Sequence, residues 1–361
     1  MISIIGAGPA GCYAAYLLAK NGKEASVFEE HPKIGLPVQC TGIVTDEINN
    51  ILKLNKDVIL NKISRARVFS PNGKFLELKL KNKNIILDRA NFDQQIAEMA
   101  RKEGAKIFLN SRFVNYKNNK VIIKNLKNNK TDKIETDCLI GADGPNSSVA
   151  KSSELFGERK FLFGKQARIK LKNDNAVEFY PYIGSYAWVV PENEETARIG
   201  VAAYDDINRV FLNFLNSLKI NNKKIMNYQS GLIPIYEPKL KIQNENIFLL
   251  GDAALQVKAT TGGGIVYGLN AARILADCII KNEDYGSMCK KRIGKDLWLH
   301  LKLHNIMKKF SDNDWNLLVG LLNKKESKKI IEKHDREYPS KILFNILIRE
   351  PRLLYFLKHI F

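Results

Sequence analysis

Short, largely apolar runs near the start of the chain are each followed by a glycine-containing turn or a polar residue. The first run, residues 2–5, leads into a turn and then into a helix-forming stretch over residues 13–20. A second run, residues 25–28, ends at Glu29. Short apolar runs between turn signals are typical of buried strands in a parallel sheet. This order predicts a strand–helix–strand unit.

Alternating apolar and polar positions farther along predict antiparallel strands. Residues 64–69 and 74–80 flank the turn Pro71-Asn72-Gly73, which favours a hairpin. Beyond Asp284 the pattern becomes helical, with apolar and lysine-rich positions. Further short strands are predicted at residues 113–116, 121–126, 133–136, 167–171, 176–179 and around Tyr186.

Three glycines in the first turn, Gly6, Gly8 and Gly11, have the spacing G-x-G-x-x-G directly after a strand. Because glycine lacks a Cβ, such a turn is tight and its backbone approaches a pyrophosphate closely. The following helix directs its free N–H groups at that phosphate. Glu29, eighteen residues past Gly11, suits the ribose hydroxyls of an adenine dinucleotide. The motif indicates a dinucleotide site, and the alternative is a tight turn without a ligand.

Two more apolar runs end in an aspartate, at the position where doubly wound sheets bind ligands. Residues 138–142 precede Asp143, and residues 247–251 precede Asp252. The Asp252 carboxylate suits hydrogen bonds from a ribityl chain. The glycine run 262–264 then opens a helix, and its backbone N–H groups suit a flavin ring or its pyrophosphate.

These segments, together with residues 88–93 (Asp-Arg-Ala-Asn-Phe-Asp), resemble the FAD-dependent oxidoreductases of the aromatic-hydroxylase type. Within that group the chain resembles the geranylgeranyl reductase family, especially its archaeal lipid-reducing members, from Met1 to about Asp277. The resemblance implies FAD as the cofactor. The residues expected to bind FAD are Gly6, Gly8, Ala10, Gly11, Glu29, Arg89, Asp143, Gly144, Gly251, Asp252, Gly262, Gly263, Gly264 and Ile265.

One local motif is the loop Pro37-Val38-Gln39-Cys40-Thr41-Gly42-Ile43. The resemblance to the reductases places Cys40 near the redox-active ring and makes it the candidate catalytic residue. The thiol would donate a proton to the substrate or shape the pocket. The alternative is a small buried core residue, since free cysteine is common in cores.

A second local motif is similar to the family's Y-x-W-x-x-P signature beside a lipid cavity. Tyr186, Trp188 and Pro191 match it and are the candidate substrate-binding residues. Both aromatics lie on one face of a strand, so ordinary sheet packing is the alternative. The family pattern has Phe before the proline and Lys-Gly after it, whereas this chain has Val190 before it and Glu192-Asn193 after it.

The implied fold class is α/β: a Rossmann-type FAD-binding domain of the aromatic-hydroxylase type with an interleaved antiparallel-sheet substrate domain and a helical C-terminal region. We expect the FAD-binding domain over residues 1–160 and 243–284, interrupted by a sheet insertion near residues 45–87. The lipid-binding substrate domain is expected over residues 161–242, and the basic helical region over residues 285–361.

The implied activity is FAD-dependent saturation of isoprenoid C=C bonds in geranylgeranyl lipids, a step of archaeal membrane lipid biosynthesis. Reduced flavin N5 would supply a hydride, and Cys40 or a nearby water would supply a proton. One alternative is an FAD-dependent monooxygenase or halogenase acting on an apolar substrate. Another is a non-catalytic flavoprotein or lipid-binding protein.

The charge balance indicates anionic partners. With 57 Lys and Arg residues against 38 Asp and Glu residues, the net charge is +19, which attracts anions at long range. An acidic electron donor such as ferredoxin and an anionic membrane surface both fit, the latter through the basic C-terminal helices. The alternatives are lysines spread over solvated faces and a helical cap packed on the protein. Because no DNA- or RNA-binding motif is present, no nucleic-acid partner is expected.

Cysteine and histidine usage argues for a reducing compartment and against a metal site. Five cysteines without a C-x-x-C pair fit neither a disulfide framework nor a zinc site. His300 and His304 lie one helical turn apart, but no third ligand accompanies them. The chain opens on a strand rather than a signal peptide, and no apolar stretch approaches the ~18 residues of a membrane span. We expect a cytoplasmic protein with peripheral association on the inner face of the cell membrane.

Overall fold

Two large β-sheets, a small third sheet and a group of C-terminal helices make up the computed structural model, which describes residues 1–360 apart from the side chain of Asn222. In chain order the strands are β1 Ile2–Ile5, β2 Ala25–Phe28, β3 Ile43–Val44, β4 Ile59–Phe69, β5 Phe75–Leu87, β6 Lys106–Phe108, β7 Ser111–Lys117, β8 Lys120–Asn125, β9 Thr131–Glu135, β10 Cys138–Gly141, β11 Phe161–Lys170, β12 Ala176–Tyr180, β13 Tyr186–Asn193, β14 Thr196–Ala203, β15 Ile225–Pro234, β16 Gln243–Asn244 and β17 Ile247–Leu249. The helices are α1 Pro9–Lys20, α2 Arg89–Lys102, α3 Ser148–Ser152, α4 Ile207–Ser217, α5 Ile265–Lys281, α6 Tyr285–Cys289, α7 Lys295–Met307, α8 Asp312–Leu322, α9 Lys325–Lys333 and α10 Pro339–Arg349. A π-helical turn, Lys290–Gly294, joins α6 to α7, and a 3₁₀ helix, Pro351–His359, follows α10.

The first sheet has the strand order β16-β17-β10-β1-β2-β6 and is parallel except at its β16 edge. From β1 the chain passes through α1 to β2 and β6 on one side, whereas β10 and β17 lie on the other. Doubly wound sheets bind ligands at the carboxyl ends of strands where the order reverses in this way. The predicted strand–helix–strand unit is confirmed. The helix begins earlier than predicted, at Pro9, because proline suits the first helical position.

The second sheet has the order β15-β11-β14-β13-β12-β4-β5-β3, and its only parallel pairing is β12 with β4 among the residues that the structure describes. Strands from residues 43–87 and from residues 161–234 therefore share one sheet. The predicted hairpin around Pro71-Asn72-Gly73 is confirmed, and β4 and β5 both extend beyond the predicted 64–69 and 74–80. The third sheet, β7-β8-β9, contains the strands predicted between residues 113 and 136.

Small apolar residues let α1 pack closely on the first sheet. Ala14, Ala15 and Leu18 on α1 are fully buried, as are Ile4 and Val27 on the strands. Because interiors are packed as densely as organic crystals, this contact fixes where β1 and β2 end relative to the start of α1. The loops at the carboxyl ends of these strands therefore have a rigid base.

The C-terminal helices pack on the rest of the protein. Val319 of α8 clusters with Leu76 and Leu78 of β5. A second cluster joins the last helices to one another through buried Leu321, Ile346, Leu353 and Phe356. Over residues 1–360, none of the helices combines the length and the apolar character that crossing a bilayer requires.

Candidate active site

A cleft of about 620 Å³ opens at the carboxyl ends of β1, β2, β10 and β17. Each of these strands delivers one predicted site segment to it. Among the candidate cofactor residues, the cleft is lined by Gly6, Gly8, Ala10, Glu29, Arg89, Asp143, Gly144, Gly251, Asp252, Gly262, Gly264 and Ile265. The structure thus brings together residues that are up to 259 positions apart in the chain, from Gly6 to Ile265.

The three glycines of the first turn are required for three different reasons. Gly6 has φ +100°, and a Cβ there would overlap the carbonyl of Ala142 in the loop after β10. A Cβ on Gly11 would overlap the carbonyl oxygen of Gly6, so Gly11 allows α1 to pack against the turn rather than lining the cleft. Gly8 is the N-cap of α1, and a Cβ there would meet no atom within 4 Å. The open space at Gly8 lies in the cleft and fits the approach of a phosphate.

Glu29 is fixed at the end of β2 by hydrogen bonds to both carboxylate oxygens. Oε2 accepts from the Ala7 N–H at 2.7 Å, and Oε1 accepts from the His31 N–H at 3.0 Å. The His31 Nδ1 atom lies 2.6 Å from Oε1. The carboxylate therefore has a defined position beside the glycine turn, as a ribose-binding acid needs.

Asp143 shapes the loop after β10. Its carboxylate accepts hydrogen bonds from Ser147 Oγ at 2.6 Å and from the N–H groups of Ser148 at 2.7 Å and Val149 at 3.1 Å. Burial raises the pKa of Asp143, and these hydrogen bonds oppose that shift. The turn they hold presents Gly144 to the cleft with φ +79° and with open space where a Cβ would be. Asp143 thus organises a second glycine position that a phosphate or ribityl chain can approach.

Arg89 and Asp252 face the cleft as half-buried, ionisable groups. The Asp88 side chain caps α2 at the Asn91 N–H, 3.1 Å away, which places Arg89 in the first turn of the helix. The guanidinium donates to Asp93 through Nε at 3.1 Å and Nη2 at 2.9 Å. Burial raises the pKa of Asp252 to about 6, and the positive charge of Arg89 opposes the shift.

A smaller cavity of about 180 Å³ adjoins the cleft and is walled mainly by apolar side chains. Tyr186 and Trp188, on one face of β13, line it together with Phe179. The Tyr186 and Trp188 rings lie 6.0 Å apart between centroids. The Tyr186 hydroxyl is buried without a hydrogen-bond partner among the described residues. Gly263, which does not line the larger cleft, contributes to this cavity.

Pro191, the third residue of the aromatic motif, lines neither cavity. It is buried in β13, where its carbonyl accepts a hydrogen bond from Asn61 Nδ2 at 3.1 Å. Its position indicates a role in holding β13 against β4 rather than in contacting a substrate.

Cys40 lies where the two cavities meet and lines both. It is half-buried, whereas the other four cysteines are buried. Its Sγ accepts a hydrogen bond from the Gly42 N–H at 3.3 Å, and the Arg89 guanidinium adjoins it. The thiol therefore borders both the cleft and the apolar cavity.

A buried polar network behind Cys40 was missed by the sequence analysis. Arg198 donates to the carbonyl oxygens of Thr41 at 2.6 Å and of Cys40 at 3.4 Å, and to Glu192 Oε1 at 2.6 Å. Glu192 is the residue that departs from the family pattern after Pro191, and here it anchors the arginine that holds the Cys40 loop. No local signal reveals the network, because Arg198 and Cys40 are 158 positions apart.

The C-terminal region also reaches the apolar cavity, through Arg336 and Glu337. Lys258 Nζ lies 2.6 Å from Glu337 Oε1, and both side chains are almost completely buried. The Tyr267 hydroxyl donates to the carbonyl oxygen of Glu337 at 2.5 Å. Burial lowers the pKa of Lys258, and the carboxylate of Glu337 opposes that shift. This buried pair ties the end of the chain to the loop that precedes Gly262.

His300 and His304 lie on the inner face of α7. His300 Nδ1 is 2.7 Å from Thr260 Oγ1, and His304 Nε2 is 2.8 Å from the Tyr204 hydroxyl. Burial lowers the pKa of His300 to about 3 and that of His304 to about 4, so both rings are neutral near pH 7. In residues 1–360, no three His, Cys, Asp or Glu side chains converge on a point where a metal ion would fit.

Known proteins are similar to this chain in sequence over most of its length and in fold. A family model described as an NAD(P)-binding Rossmann-like domain matches residues 4–49. The digeranylgeranylglycerophospholipid reductase of Methanocaldococcus jannaschii is 27% identical, over 99% of this chain and 97% of that protein. Digeranylgeranylglycerophospholipid reductase 3 of Methanosphaera stadtmanae is 29% identical, over 89% of this chain and 90% of that protein.

Solved structures share the architecture. A geranylgeranyl bacteriochlorophyll reductase-like protein from Thermoplasma acidophilum has a TM-score of 0.84 at 23% identity, covering 100% of this chain and 98% of that one. The flavin-dependent brominase Bmp2 has a TM-score of 0.74 at 15% identity, covering 97% and 98%. The predicted α/β fold class and the predicted family resemblance are confirmed.

Proposed function

We propose that this chain, which is similar over nearly its whole length to digeranylgeranylglycerophospholipid reductases, saturates isoprenoid C=C bonds of geranylgeranyl lipids. The names of the relatives support the predicted enzyme class, an FAD-dependent oxidoreductase, and the fold is one that a flavin-dependent enzyme shares. One observation carries the proposal for the substrate: Cys40 borders both the dinucleotide cleft and an apolar cavity walled by Tyr186 and Trp188.

The residues of the cleft fit FAD. Space for close backbone approach exists at Gly8 and Gly144, and Glu29 lies at the end of β2 beside the glycine turn, which supports a role in binding the ribose of an adenine dinucleotide. The N–H groups that open α5 have no side-chain cap at Gly264, so they are available to the cofactor. FAD bound in this cleft, once reduced by an electron donor, would supply the hydride for reduction of an alkene.

The protein's own contribution is to hold the alkene, exclude water and supply a proton. An isolated alkene accepts a hydride poorly, so a proton must reach the other carbon of the same double bond. The Cys40 thiol is the group positioned to donate it, and the apolar wall at Trp188 orients the chain. Arg198 fixes the backbone of the Cys40 loop and so keeps the thiol at the junction of the two cavities.

We also propose an acidic protein as the electron donor, for example a ferredoxin, and peripheral contact with the membrane that contains the lipid. The net charge of +19 supports both, because opposite charges steer encounter with a donor and attract an anionic surface. No contact in the proposed mechanism requires nucleic acid.

The test is anaerobic incubation of dithionite-reduced protein with a digeranylgeranylglyceryl phospholipid, followed by mass spectrometry of the lipid. We expect each reduced double bond to add two hydrogen atoms to the lipid. Protein that was never reduced serves as the control. An unchanged lipid in the presence of bound, fully reduced FAD would contradict the proposal. An oxygenated or halogenated product, formed only in air, would instead support the monooxygenase or halogenase alternative.

A further inference from the structure

The last two helices expose large apolar side chains to solvent. Phe344 on α10 is 71% exposed and Ile348 is 58% exposed. Leu354, Leu357 and Ile360, in or next to the 3₁₀ helix, are about half exposed. We call these five side chains the outer face. The buried side chains of these two helices pack in one cluster, so the exposed ones lie on adjoining elements. Soluble proteins rarely leave an apolar patch of this kind in water unless something binds it.

The outer face is separate from the apolar face by which these helices pack on the protein. On α10, Phe344 and Ile348 are one turn apart and lie on one side, whereas Ile346 on the other side is buried. Ile346 packs in the C-terminal cluster with Leu353 and Phe356. The helices therefore have their contact with the protein already, and the outer face is a second apolar surface.

The charge of the surrounding residues indicates what binds the outer face. Residues 339–360 contain four cations, Lys341, Arg349, Arg352 and Lys358, against one acid, Glu350. Arg352 pairs with Glu350 and Lys358 pairs with Asp314 of α8, so the excess positive charge comes mainly from Lys341 and Arg349. A second copy of the chain, bound to this face by two-fold symmetry, would bring two positively charged surfaces together. An anionic bilayer attracts them instead, since each Lys or Arg near such a surface adds to the affinity.

The outer face is also close in sequence to the apolar cavity. Arg336 and Glu337 line the cavity, and α10 begins at Pro339, directly beyond them. The buried pair of Lys258 with Glu337 fixes this junction to the wall of the cavity. A surface that enters a bilayer here would bring the cavity to the lipid.

We propose that the outer face inserts into the interfacial layer of an anionic lipid bilayer. The proposal deepens the proposed function and rests on it, because a membrane lipid is the substrate assumed there. The cations beside the outer face contact the headgroups, and the five apolar side chains enter the boundary with the acyl chains.

The experiment is flotation of the FAD-loaded full chain with vesicles of phosphatidylcholine alone or of equal parts phosphatidylcholine and phosphatidylglycerol. The wild type should float with the anionic vesicles and be released by salt. Phe344→Ser combined with Ile348→Ser should lower the partition coefficient at least ~30-fold. The matched control is Leu212→Ser, which removes an apolar side chain of 49% exposure from α4 and should leave binding unchanged.

Three outcomes would overturn the proposal: no binding of the wild type to anionic vesicles, equal binding by the double variant, or a dimer that the double variant abolishes. Turnover of detergent-dispersed lipid is measured in parallel for each variant. Vesicle binding without any lipid reduction would reject the proposed function and leave the membrane contact standing. Lipid reduction without vesicle binding would reject the membrane contact and leave the proposed function standing.

Discussion

Replacing Gly8 by Val should separate cofactor binding from folding. Gly8 has φ −72° and ψ 177°, a conformation open to any residue, and its Cβ would meet nothing within 4 Å. The free energy of unfolding of the apoprotein should therefore change by no more than about 1 kcal/mol, because valine is a poorer N-cap than glycine but also restricts the unfolded chain. The added side chain would occupy the space through which the backbone approaches the FAD phosphates.

The expected loss of affinity follows from the hydrogen bonds to phosphate that the side chain prevents. A hydrogen bond to a charged group contributes about 1.5–3 kcal/mol. Loss of two such bonds at the lower value costs about 3 kcal/mol, which raises the Kd for FAD more than 100-fold. Titration of deflavinated protein, followed by quenching of flavin fluorescence, measures this Kd, and chemical denaturation of the apoprotein measures stability.

Two other glycines serve as controls. Gly11→Ala should destabilise the apoprotein itself by about 1–3 kcal/mol or more, because its Cβ would overlap the Gly6 carbonyl. Gly320→Ala on α8 has open space and should change neither quantity by much. If Gly8→Val bound FAD as tightly as the wild type, or unfolded as readily as Gly11→Ala, the assigned role of Gly8 would be wrong.

Three further predictions concern the cavity and its supports. Cys40→Ala should keep bound FAD but lose most alkene reduction, since the thiol proton is missing, and unchanged turnover in the lipid assay would remove Cys40 from the mechanism. Lys258→Met should lower the free energy of unfolding by about 3–5 kcal/mol, because it leaves the buried Glu337 carboxylate without its partner. The double variant Lys258→Met with Glu337→Gln should recover much of that loss in chemical denaturation, and simple additivity of the two single changes would argue against the coupling. Burial raises the pKa of Asp252 from its ordinary 3.8 to about 6, so the folded apoprotein holds this proton at higher pH than the unfolded chain does. The contribution to stability is complete below about pH 4 and is lost as the pH rises through 6, by up to about 3 kcal/mol. Asp252→Asn should remove this dependence, and matching pH profiles of the two apoproteins would contradict it.

Site residues that lie close together in the chain could be predicted from the sequence. Gly6, Gly8, Gly11 and Glu29 belong to one strand–helix–strand unit, whose spacing is set by the length of a helix and the width of a sheet. The structure separates their roles further, because Gly11 serves packing and Gly8 leaves space for a ligand. The spacing of the glycines alone does not distinguish the packing role from the ligand-binding role.

Residues that meet only through the tertiary fold were missed. Arg198 holds the Cys40 loop across 158 positions, and Glu337 meets Lys258 across 79. Their side chains carry no local pattern, since each charge is satisfied by a partner from another element. Pro191 shows the opposite case: it belongs to a local motif, but β13 directs it away from both cavities.

The buried contact between Lys258 and Glu337 couples retention of the cofactor to the end of the chain. Binding of FAD at the glycine run 262–264 should favour docking of the C-terminal helices. By thermodynamic linkage, docking of these helices should favour binding of FAD to the same extent. A protease that nicks the chain between α8 and α9 should therefore hasten the loss of flavin. Added FAD, in turn, should slow that cleavage.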